Sequence, residues 1–202
     1  MKVLKFGGSS LADAKRYLRV KDISLTSHQQ QGAAVVLSAP KGVTNALSLL
    51  CERATMGKDY GELFAKLDMT LMGIVDDLAK ELPDFRARLL KDFVVATLAE
   101  LSLHLEGISL LNCAPDQITA KTLSMGEYFS VNVFSEILTA LGQKNQIIDP
   151  VQYILAEGEY LDSIADVSAS KARFSELEYD ADEVLIMPGF VAVNEEGEKV
   201  TL

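Results

Sequence analysis

Several residue types are absent or scarce in these 202 residues: there is no tryptophan, and there are two cysteines and two histidines. Cys51 and Cys113 lie far apart without metal-ligand spacing, so we expect free thiols in a reducing compartment. His28 and His104 lie in helix-like stretches without a partner pattern. This argues against a zinc site or a histidine-based catalytic triad, and it predicts structural or exposed roles for both. The sequence therefore predicts no metal site among its own side chains.

Basic charge and long apolar runs are also scarce. There are 19 basic residues against 29 acidic ones, and the resulting net charge of −10 argues against nucleic acid as a partner. No apolar run approaches the roughly 20 residues that cross a membrane. The first six residues are too short for a signal peptide and predict a buried strand instead. We therefore expect a cytoplasmic protein that binds neither nucleic acid nor membrane.

Strand and helix patterns alternate along the first fifty residues. A glycine loop follows the first strand, and a second loop separates the second strand from the next helix. This order is typical of a parallel sheet covered by helices and predicts an α/β fold, a three-layer αβα architecture with a mainly parallel open sheet. Right-handed crossovers then place both loops at the carboxyl edge of the sheet, where they converge on one ligand. The predicted elements are strands at 3–6 and 33–37, a helix at 11–30 and another from Ala46.

The rest of the chain is helical in the middle and returns to strands near its end. Pro83 separates two helices that we interpret as scaffold, and Gly142 ends a third. The chain stops inside what reads as an unfinished strand, so we expect a fragment whose sheet is incomplete at the C-terminus. The predicted elements are helices at 59–82, 84–106 and 116–141, strands at 146–148 and 184–187, and a hairpin of 190–193 with 199–202.

The string Lys-Phe-Gly-Gly-Ser-Ser at residues 5–10 carries the first functional signal. Two glycines after a strand let the backbone approach an anion closely, and the N–H groups of the loop and the next helix terminus point at phosphate oxygens. Lys5 would add positive charge where a transferred phosphoryl group is most anionic. The string matches neither the Walker nor the dinucleotide pattern. By itself it fits a tight turn with an incidental lysine equally well.

Two further strings supply polar groups. Residues 35–45 follow the second strand with hydroxyls and N–H donors, and Thr44 is placed either to hydrogen-bond a small carboxylate or to cap a helix. In the string Ser-Met-Gly-Glu at 124–127, Gly126 costs a helix about 1 kcal/mol relative to alanine, which suggests a close approach or kink there. Such an approach would turn Glu127 into a pocket to pair with a substrate ammonium; the alternative is a solvated surface glutamate.

Together, Lys-Phe-Gly-Gly-Ser-Ser, Ser-Ala-x-x-Gly-Val-Thr-Asn and Ser-x-Gly-Glu resemble the aspartokinases of the amino-acid kinase family. Pro188-Gly189-Phe190 followed by a hairpin is a fourth matching element, and the resemblance covers essentially the whole chain. Residues 107–112 and 148–151 make the chain most similar to the kinase part of the bifunctional aspartokinase–homoserine dehydrogenases of the threonine pathway.

The resemblance implies transfer of the γ-phosphoryl group of ATP, with Mg²⁺, to the side-chain carboxylate of L-aspartate, giving 4-phospho-L-aspartate. No phospho-enzyme is needed, because catalysis consists of positioning and charge neutralisation. L-aspartate and ATP are the implied partners, in a homo-oligomer. Carried over by motif, Lys5 is the catalytic residue, Lys5, Phe6, Gly7, Gly8 and Ser9 bind phosphate, and Ser38, Thr44 and Glu127 bind the substrate.

The chain departs from the family pattern after Leu202. There aspartokinases carry a Gly-Arg-x-Gly-Ser-Asp stretch with an arginine for the substrate, followed by the nucleotide lobe and regulatory domains. In the bifunctional enzymes, an NADP-dependent dehydrogenase follows these. The resemblance therefore implies that residues 1–202 are the N-terminal part of a catalytic domain and are inactive alone.

Three alternatives remain open at this point. The first is a kinase of glutamate, an acetylated glutamate or a carbamate, although the Ser-x-Gly-Glu string favours aspartate. The second is a non-catalytic assembly module that pairs with another chain through the open sheet edge. The third is a dinucleotide-binding domain, which the missing third glycine disfavours.

Overall fold

The computed structural model describes residues 1–202, which form seven α-helices and eight β-strands. The helices are α1 (Ala14–Gln31), α2 (Val43–Thr55), α3 (Gly61–Glu81), α4 (Ala87–Leu111), α5 (Asp116–Ala140), α6 (Pro150–Tyr153) and α7 (Val167–Phe174). The strands are β1 (Lys2–Phe6), β2 (Ala33–Leu37), β3 (Asn145–Ile147), β4 (Ala156–Glu159), β5 (Asp162–Ala165), β6 (Val184–Pro188), β7 (Val191–Val193) and β8 (Lys199–Thr201).

The central sheet has four parallel strands in the order β1-β2-β6-β3, which confirms the predicted α/β fold. Phe6 lies beside Leu37, and Leu37 lies beside Pro188. The three strands therefore end together, and the loops that follow them leave the same edge side by side. The predicted convergence of the first two loops follows from this register.

One face of the sheet carries the main core. Val35 and Leu37 of β2 and Val184 and Ile186 of β6 join apolar residues of α1–α5 in a single cluster. The opposite face is less covered, and Val3 is 68 % exposed. The prediction that β1 is a buried strand was therefore wrong, because β1 is an edge strand that pairs only with β2.

Two helices begin at different residues from those predicted. A short 3-10 turn, Gly8–Leu11, precedes α1, whose first turn is capped by the Asp13 carboxylate accepting from the Arg16 amide at 3.0 Å. Gly42, with φ of 85°, is the N-cap of α2, so this helix begins three residues before Ala46. Thr44 therefore lies inside the first turn and is not the cap, which leaves its hydroxyl free for another role.

The α3–α4 hairpin breaks at Pro83 as predicted, and α4 continues five residues beyond Glu106. By length and composition α4 could cross a membrane, with a mean hydropathy of 1.5 over its most apolar window, which the sequence reading overlooked. Its inner face is buried against the rest of the protein through Leu90, Val94, Leu98, Leu101, Leu105 and Ile108. Because 28 % of that window is buried, α4 packs one face against the core and leaves its other face exposed.

The segment between β3 and β6 contains elements that the sequence did not predict. The β4–β5 hairpin and the short helices α6 and α7 lie there. Beyond β6, the predicted hairpin is present as the antiparallel pair β7–β8. A small second cluster of Ala156, Ala192 and Val200 joins β4 to this hairpin.

Candidate functional site

The glycine loop after β1 packs directly on the loop after β2. A Cβ atom on Gly8 would lie 2.7 Å from the Ala39 carbonyl oxygen, so only glycine fits at this position. A Cβ atom on Gly7 would meet nothing within 4 Å. The first glycine therefore leaves open space in front of the loop, and the second lets the two loops touch.

Helix α5 packs on the same loop through Gly126. A Cβ atom there would lie 2.5 Å from Ala39 Cβ and 3.0 Å from Val43 Cγ1, so the mid-helix glycine is needed for close approach. The next residue, Glu127, contacts this loop: its Oε1 atom accepts a hydrogen bond from the Ala39 amide at 3.0 Å. Glu127 is 2 % exposed, so it is not a solvated surface residue.

A cavity of about 370 Å³ opens where these elements meet, within the size range of small-molecule sites. It brings together Lys5 from β1, Ser38 and Thr44 from the second loop and helix, and Glu127 from α5. These four residues are the predicted catalytic residue and the three predicted substrate-binding residues. The remaining lining residues are Gly189, Phe190 and Leu202.

Glu127 is the unusual group of this cavity. Its Oε2 atom is buried and has no hydrogen-bond partner within the chain. Burial raises the pKa of Glu127 to about 7, against the opposing effects of the Ala39 amide, its own backbone amide and the Ser38 hydroxyl. A half-paired carboxylate at the wall of a cavity can accept a hydrogen bond from a cationic ligand, and such a ligand would lower this pKa again.

Lys5 supplies the opposite charge. It is exposed, and its ammonium forms no salt bridge within the chain. The cavity therefore offers one free cation, one half-paired anion and two hydroxyls, a set that suits a ligand with both an ammonium and a carboxylate.

The loop after β6 forms the far wall, and it holds residues that the sequence marked only as a family element. The Gly189 amide donates to the Leu37 carbonyl at 2.8 Å, and the Leu202 amide donates to the Phe190 carbonyl at 3.0 Å. Phe190 has φ of 68°, a conformation that a bulky residue rarely adopts and that costs about 1–3 kcal/mol. A Pro-Gly pair directly after a buried strand was the signal that could have identified this wall.

Of the five predicted phosphate-binding residues only Lys5 lines this cavity; Phe6, Gly7, Gly8 and Ser9 do not. Phe6 and Ser9 line a separate cavity of about 330 Å³ together with Arg16. Phe6 also packs against the main core, and the Ser9 carbonyl accepts from Arg16 Nη1 at 2.7 Å. At the glycine loop, only the position of Gly7 leaves open space in front of the backbone.

Residues 1–202 contain no group of three His, Cys, Asp or Glu side chains that could hold a metal ion. Both cysteines are free thiols, Cys51 buried and Cys113 exposed. His104 lies with Nδ1 2.9 Å from Thr122 Oγ1, and burial lowers the pKa of its imidazole. The chain thus lacks a protein-only site for Mg²⁺, and we assign this ion no step.

Comparison with known proteins matches this arrangement to one family. The model of the amino acid kinase family matches residues 1–202. The bifunctional aspartokinase/homoserine dehydrogenases of Buchnera aphidicola and Haemophilus influenzae are each 33 % identical over all of this chain and 25 % of their own length. The crystal structure of Escherichia coli aspartokinase III with aspartate and ADP superposes with a TM-score of 0.84 at 25 % identity, over 99 % of this chain and 43 % of that one.

These matches confirm the resemblance to aspartokinases that the sequence motifs indicated. The chain spans about a quarter of the length of the bifunctional relatives that it matches. Because the family model matches every residue from 1 to 202, this chain belongs to the amino acid kinase family.

Proposed function

We propose that residues 1–202 form the acceptor-substrate part of an aspartate kinase, which transfers the γ-phosphoryl group of ATP to the side-chain carboxylate of L-aspartate. The observation that carries this proposal is the cavity lined by Lys5, Thr44 and Glu127, in which a buried carboxylate oxygen has no partner. The aspartokinase III structure, solved with aspartate and ADP, supports the choice of ligands.

The charges of the cavity suggest how aspartate would lie. Its ammonium would pair with Glu127 Oε2, the only carboxylate in the lining. The hydroxyls of Ser38 and Thr44 would donate to carboxylate oxygens, and Lys5 would attract the carboxylate that reacts. In this orientation Glu127 and Lys5 bind opposite ends of the substrate, and a dicarboxylate without an amine would lose the first contact.

The phosphoryl donor would approach from the side of Gly7, where the backbone faces open space. A side-chain carboxylate oxygen of aspartate would attack the γ-phosphorus, forming a P–O bond as the bond to the leaving ADP oxygen breaks. Lys5 would neutralise the negative charge on the transferred group. No residue of the chain would be phosphorylated during this direct transfer.

The cavity contains no arginine for the α-carboxylate of aspartate, and Lys5 is its only cation. We therefore propose that residues 1–202 bind aspartate weakly and turn it over poorly without further segments. The regulatory and dehydrogenase functions, the threonine pathway, the cytoplasmic location and the homo-oligomeric state belong to the same proposal for the longer enzyme.

Calorimetric titration of the chain with L-aspartate at pH 8 tests the proposal. We expect Thr44→Ala to weaken binding about tenfold, the effect of losing one hydrogen bond, and Glu127→Gln to weaken it by 10-fold to 100-fold, each on the order of 1.5–3 kcal/mol. Glu196→Gln, on the exposed turn between β7 and β8, is the matched control and should leave binding unchanged.

Succinate, which lacks the amine, sharpens the test. It should bind the unaltered chain more weakly than aspartate does. The Glu127→Gln variant should bind succinate and aspartate with equal affinity. Tight glutamate binding at this site would redirect the proposal to a different amino acid kinase. A folded chain that binds aspartate with the same affinity after Glu127→Gln would contradict the assignment of Glu127.

A further inference from the structure

Helix α5 contacts two different parts of the aspartate cavity through two consecutive residues. Glu127 lines the cavity and accepts from the Ala39 amide of the second loop at 3.0 Å. Tyr128 lies against the β7–β8 hairpin, where the Lys199 ammonium is 4.2 Å from the centroid of its ring. Consecutive residues of a helix point about 100° apart, so both contacts are made at the same level of α5. The helix therefore connects the second loop to the hairpin whose ends form the far wall.

The Tyr128 side chain is also fixed at its hydroxyl. The hydroxyl donates to Asp149 Oδ1 at 2.7 Å, and the same oxygen accepts from the Val151 amide at 3.3 Å at the start of α6. A phenol that donates to a carboxylate has a more electron-rich ring, which attracts a cation more strongly. The hydrogen bond to Asp149 and the contact with Lys199 therefore reinforce each other.

Lys199 has the ring of Tyr128 as its specific partner. It is half-buried, and it forms no salt bridge within the chain. Burial lowers the pKa of its ammonium, and the negative charges of Asp149 and Glu100 oppose this effect. A lysine with no role in packing would extend into solvent, whereas this one lies over an aromatic face.

A second charged contact lies beside the first. Lys121 Nζ is 3.0 Å from Glu198 Oε2. Lys121 and Tyr128 are seven residues apart on α5, so they lie on the same side of the helix, and their partners Glu198 and Lys199 are consecutive. The start of β8 is therefore attached along one side of α5.

This attachment bears on the far wall because β8 leads directly to it. The hairpin is not part of the central sheet, and its small apolar cluster joins it to β4 and includes no residue of α5. Three residues after Lys199, Leu202 lines the cavity, and its amide donates to the Phe190 carbonyl at 3.0 Å. An extended strand transmits a shift at one end to the other, so the position of Lys199 influences the position of the wall.

From these contacts we propose that Tyr128, Asp149 and Lys199 are positioning residues for the aspartate site. They set the distance between Glu127 and the wall of Phe190 and Leu202, and thereby the preference for aspartate over glutamate, which is one methylene longer. None of the three lines the cavity, so they act through its walls and do not touch the substrate. The inference rests on the proposed function.

Calorimetric titration with L-aspartate and with L-glutamate at pH 8 tests the inference. Lys199→Met should weaken aspartate binding about tenfold, because a displaced wall no longer fits the ligand. Glutamate binding should weaken less, so the ratio of the two affinities should fall by about threefold or more. A residue that only stabilised the fold would leave this ratio unchanged.

Conservative variants separate the contacts. Lys199→Arg retains a cation over the ring and should keep aspartate affinity within about twofold of the unaltered chain. Tyr128→Phe keeps the ring but loses the hydrogen bond to Asp149, so it should change the affinity ratio in the same direction by a smaller factor. The double variant of Tyr128→Phe with Lys199→Met should lose less than the product of the two single losses, because both changes act on one contact.

Two exposed residues away from the cavity provide matched controls. Lys171→Met on α7 and Tyr179→Phe should leave both affinities unchanged. Circular dichroism verifies that each variant is folded. If Lys199→Met does not fold, Tyr128→Phe, which removes a single oxygen atom, decides the test through the same ratio.

The outcomes distinguish this inference from the proposed function. A folded, unaltered chain that does not bind aspartate would contradict the proposed function and the inference with it. Aspartate binding that Lys199→Met leaves unchanged would overturn the inference alone. Equal proportional losses for aspartate and glutamate, or a Lys199→Arg variant that binds no better than Lys199→Met, would also overturn it alone.

Discussion

Helix α5 carries two buried glutamates nine residues apart, and they differ in their hydrogen-bond partners. Glu136 is 4 % exposed and Glu127 is 2 % exposed. The carboxylate of Glu136 accepts from the Arg86 backbone amide at 2.9 Å and from its guanidinium Nη2 at 2.7 Å, with Nε within reach of both oxygens. Glu127 has no cationic partner: Oε1 accepts from the Ala39 amide, the Ser38 hydroxyl lies close enough to lower its pKa slightly, and Oε2 has no hydrogen-bond partner within the chain.

This difference separates a structural carboxylate from one available to a ligand. A buried charge without partners is costly, so a fold that places one near its core normally pairs it, as Arg86 pairs Glu136 at the start of α4. Glu127 keeps an unpaired oxygen at the wall of a cavity that also contains Lys5. A ligand cation is the partner that this arrangement lacks.

The largest expected effect is on Glu136, and it should be on stability alone. Glu136→Ala removes charge-assisted hydrogen bonds and buried methylene groups, so we expect the free energy of unfolding in urea to fall by about 3–4 kcal/mol. Aspartate binding by the protein that remains folded should be unchanged, because the two residues are separated by a rise of about 13.5 Å along α5. Glu196→Ala, at an exposed turn, should change neither quantity. Loss of aspartate binding in folded Glu136→Ala would contradict the assignment of Glu136 to stability alone.

Glu127→Gln should have the opposite effect on stability. The pKa of Glu127 is raised from 4.5 to about 7 in the folded protein, so the folded state holds its proton more tightly than the unfolded chain does. Ionisation of Glu127 therefore does not lower the free energy of unfolding below pH 4.5. It lowers this free energy progressively between pH 4.5 and 7, and by its full amount above pH 7. Glutamine can still accept from Ala39 and is never ionised, so we expect it to stabilise the protein by on the order of 2–3 kcal/mol at pH 8.

Urea titrations of the two proteins at pH 4 and pH 8 measure this difference. The variant should match the unaltered chain at pH 4 and exceed it at pH 8, while aspartate affinity of the unaltered chain should rise as pH increases through 7. Equal stability at both pH values would mean that Glu127 is paired or solvated in solution, and the contrast with Glu136 would disappear.

The sequence predicted a role for Glu127 and gave no sign of one for Glu136. Glu127 follows a glycine inside a helical pattern, and Lys5 follows a strand and precedes two glycines, so both have local signals; the parallel topology then brings them together. Glu136 has none, because its partner Arg86 lies 50 residues away in the sequence. A long-range pairing of this kind depends on how helices pack, which local patterns do not record.

Local signals also failed where backbone conformation decided the outcome. The left-handed conformation of Gly42 begins α2 three residues early, which moves Thr44 from a cap into the first turn. The β4–β5 hairpin was missed because the β4 segment Ala-Glu-Gly-Glu has one buried residue followed by three exposed ones, with no alternating pattern to detect. Both features depend on turns whose geometry single residues do not specify.

The smallest expected effect tests whether Gly126 is what holds Glu127 in place. Gly126→Ala gains about 1 kcal/mol of helix propensity but places a methyl group 2.5 Å from Ala39 Cβ, and overpacking of this kind costs about 1–3 kcal/mol. We expect the free energy of unfolding in urea to fall by up to about 2 kcal/mol, and we expect a larger proportional loss of aspartate affinity because the second loop must move away from α5.

Gly73→Ala in α3 is the matched control, since a Cβ atom there meets nothing within 4 Å. This change should raise the free energy of unfolding by about 0.5–1 kcal/mol through helix propensity alone, and it should leave aspartate binding unchanged. If Gly126→Ala behaves like Gly73→Ala, the loop is free to adjust and the glycine is not needed to position Glu127. If it loses aspartate affinity while Glu136→Ala does not, then the contact between α5 and the second loop determines the geometry of the site, and the far end of the same helix serves stability.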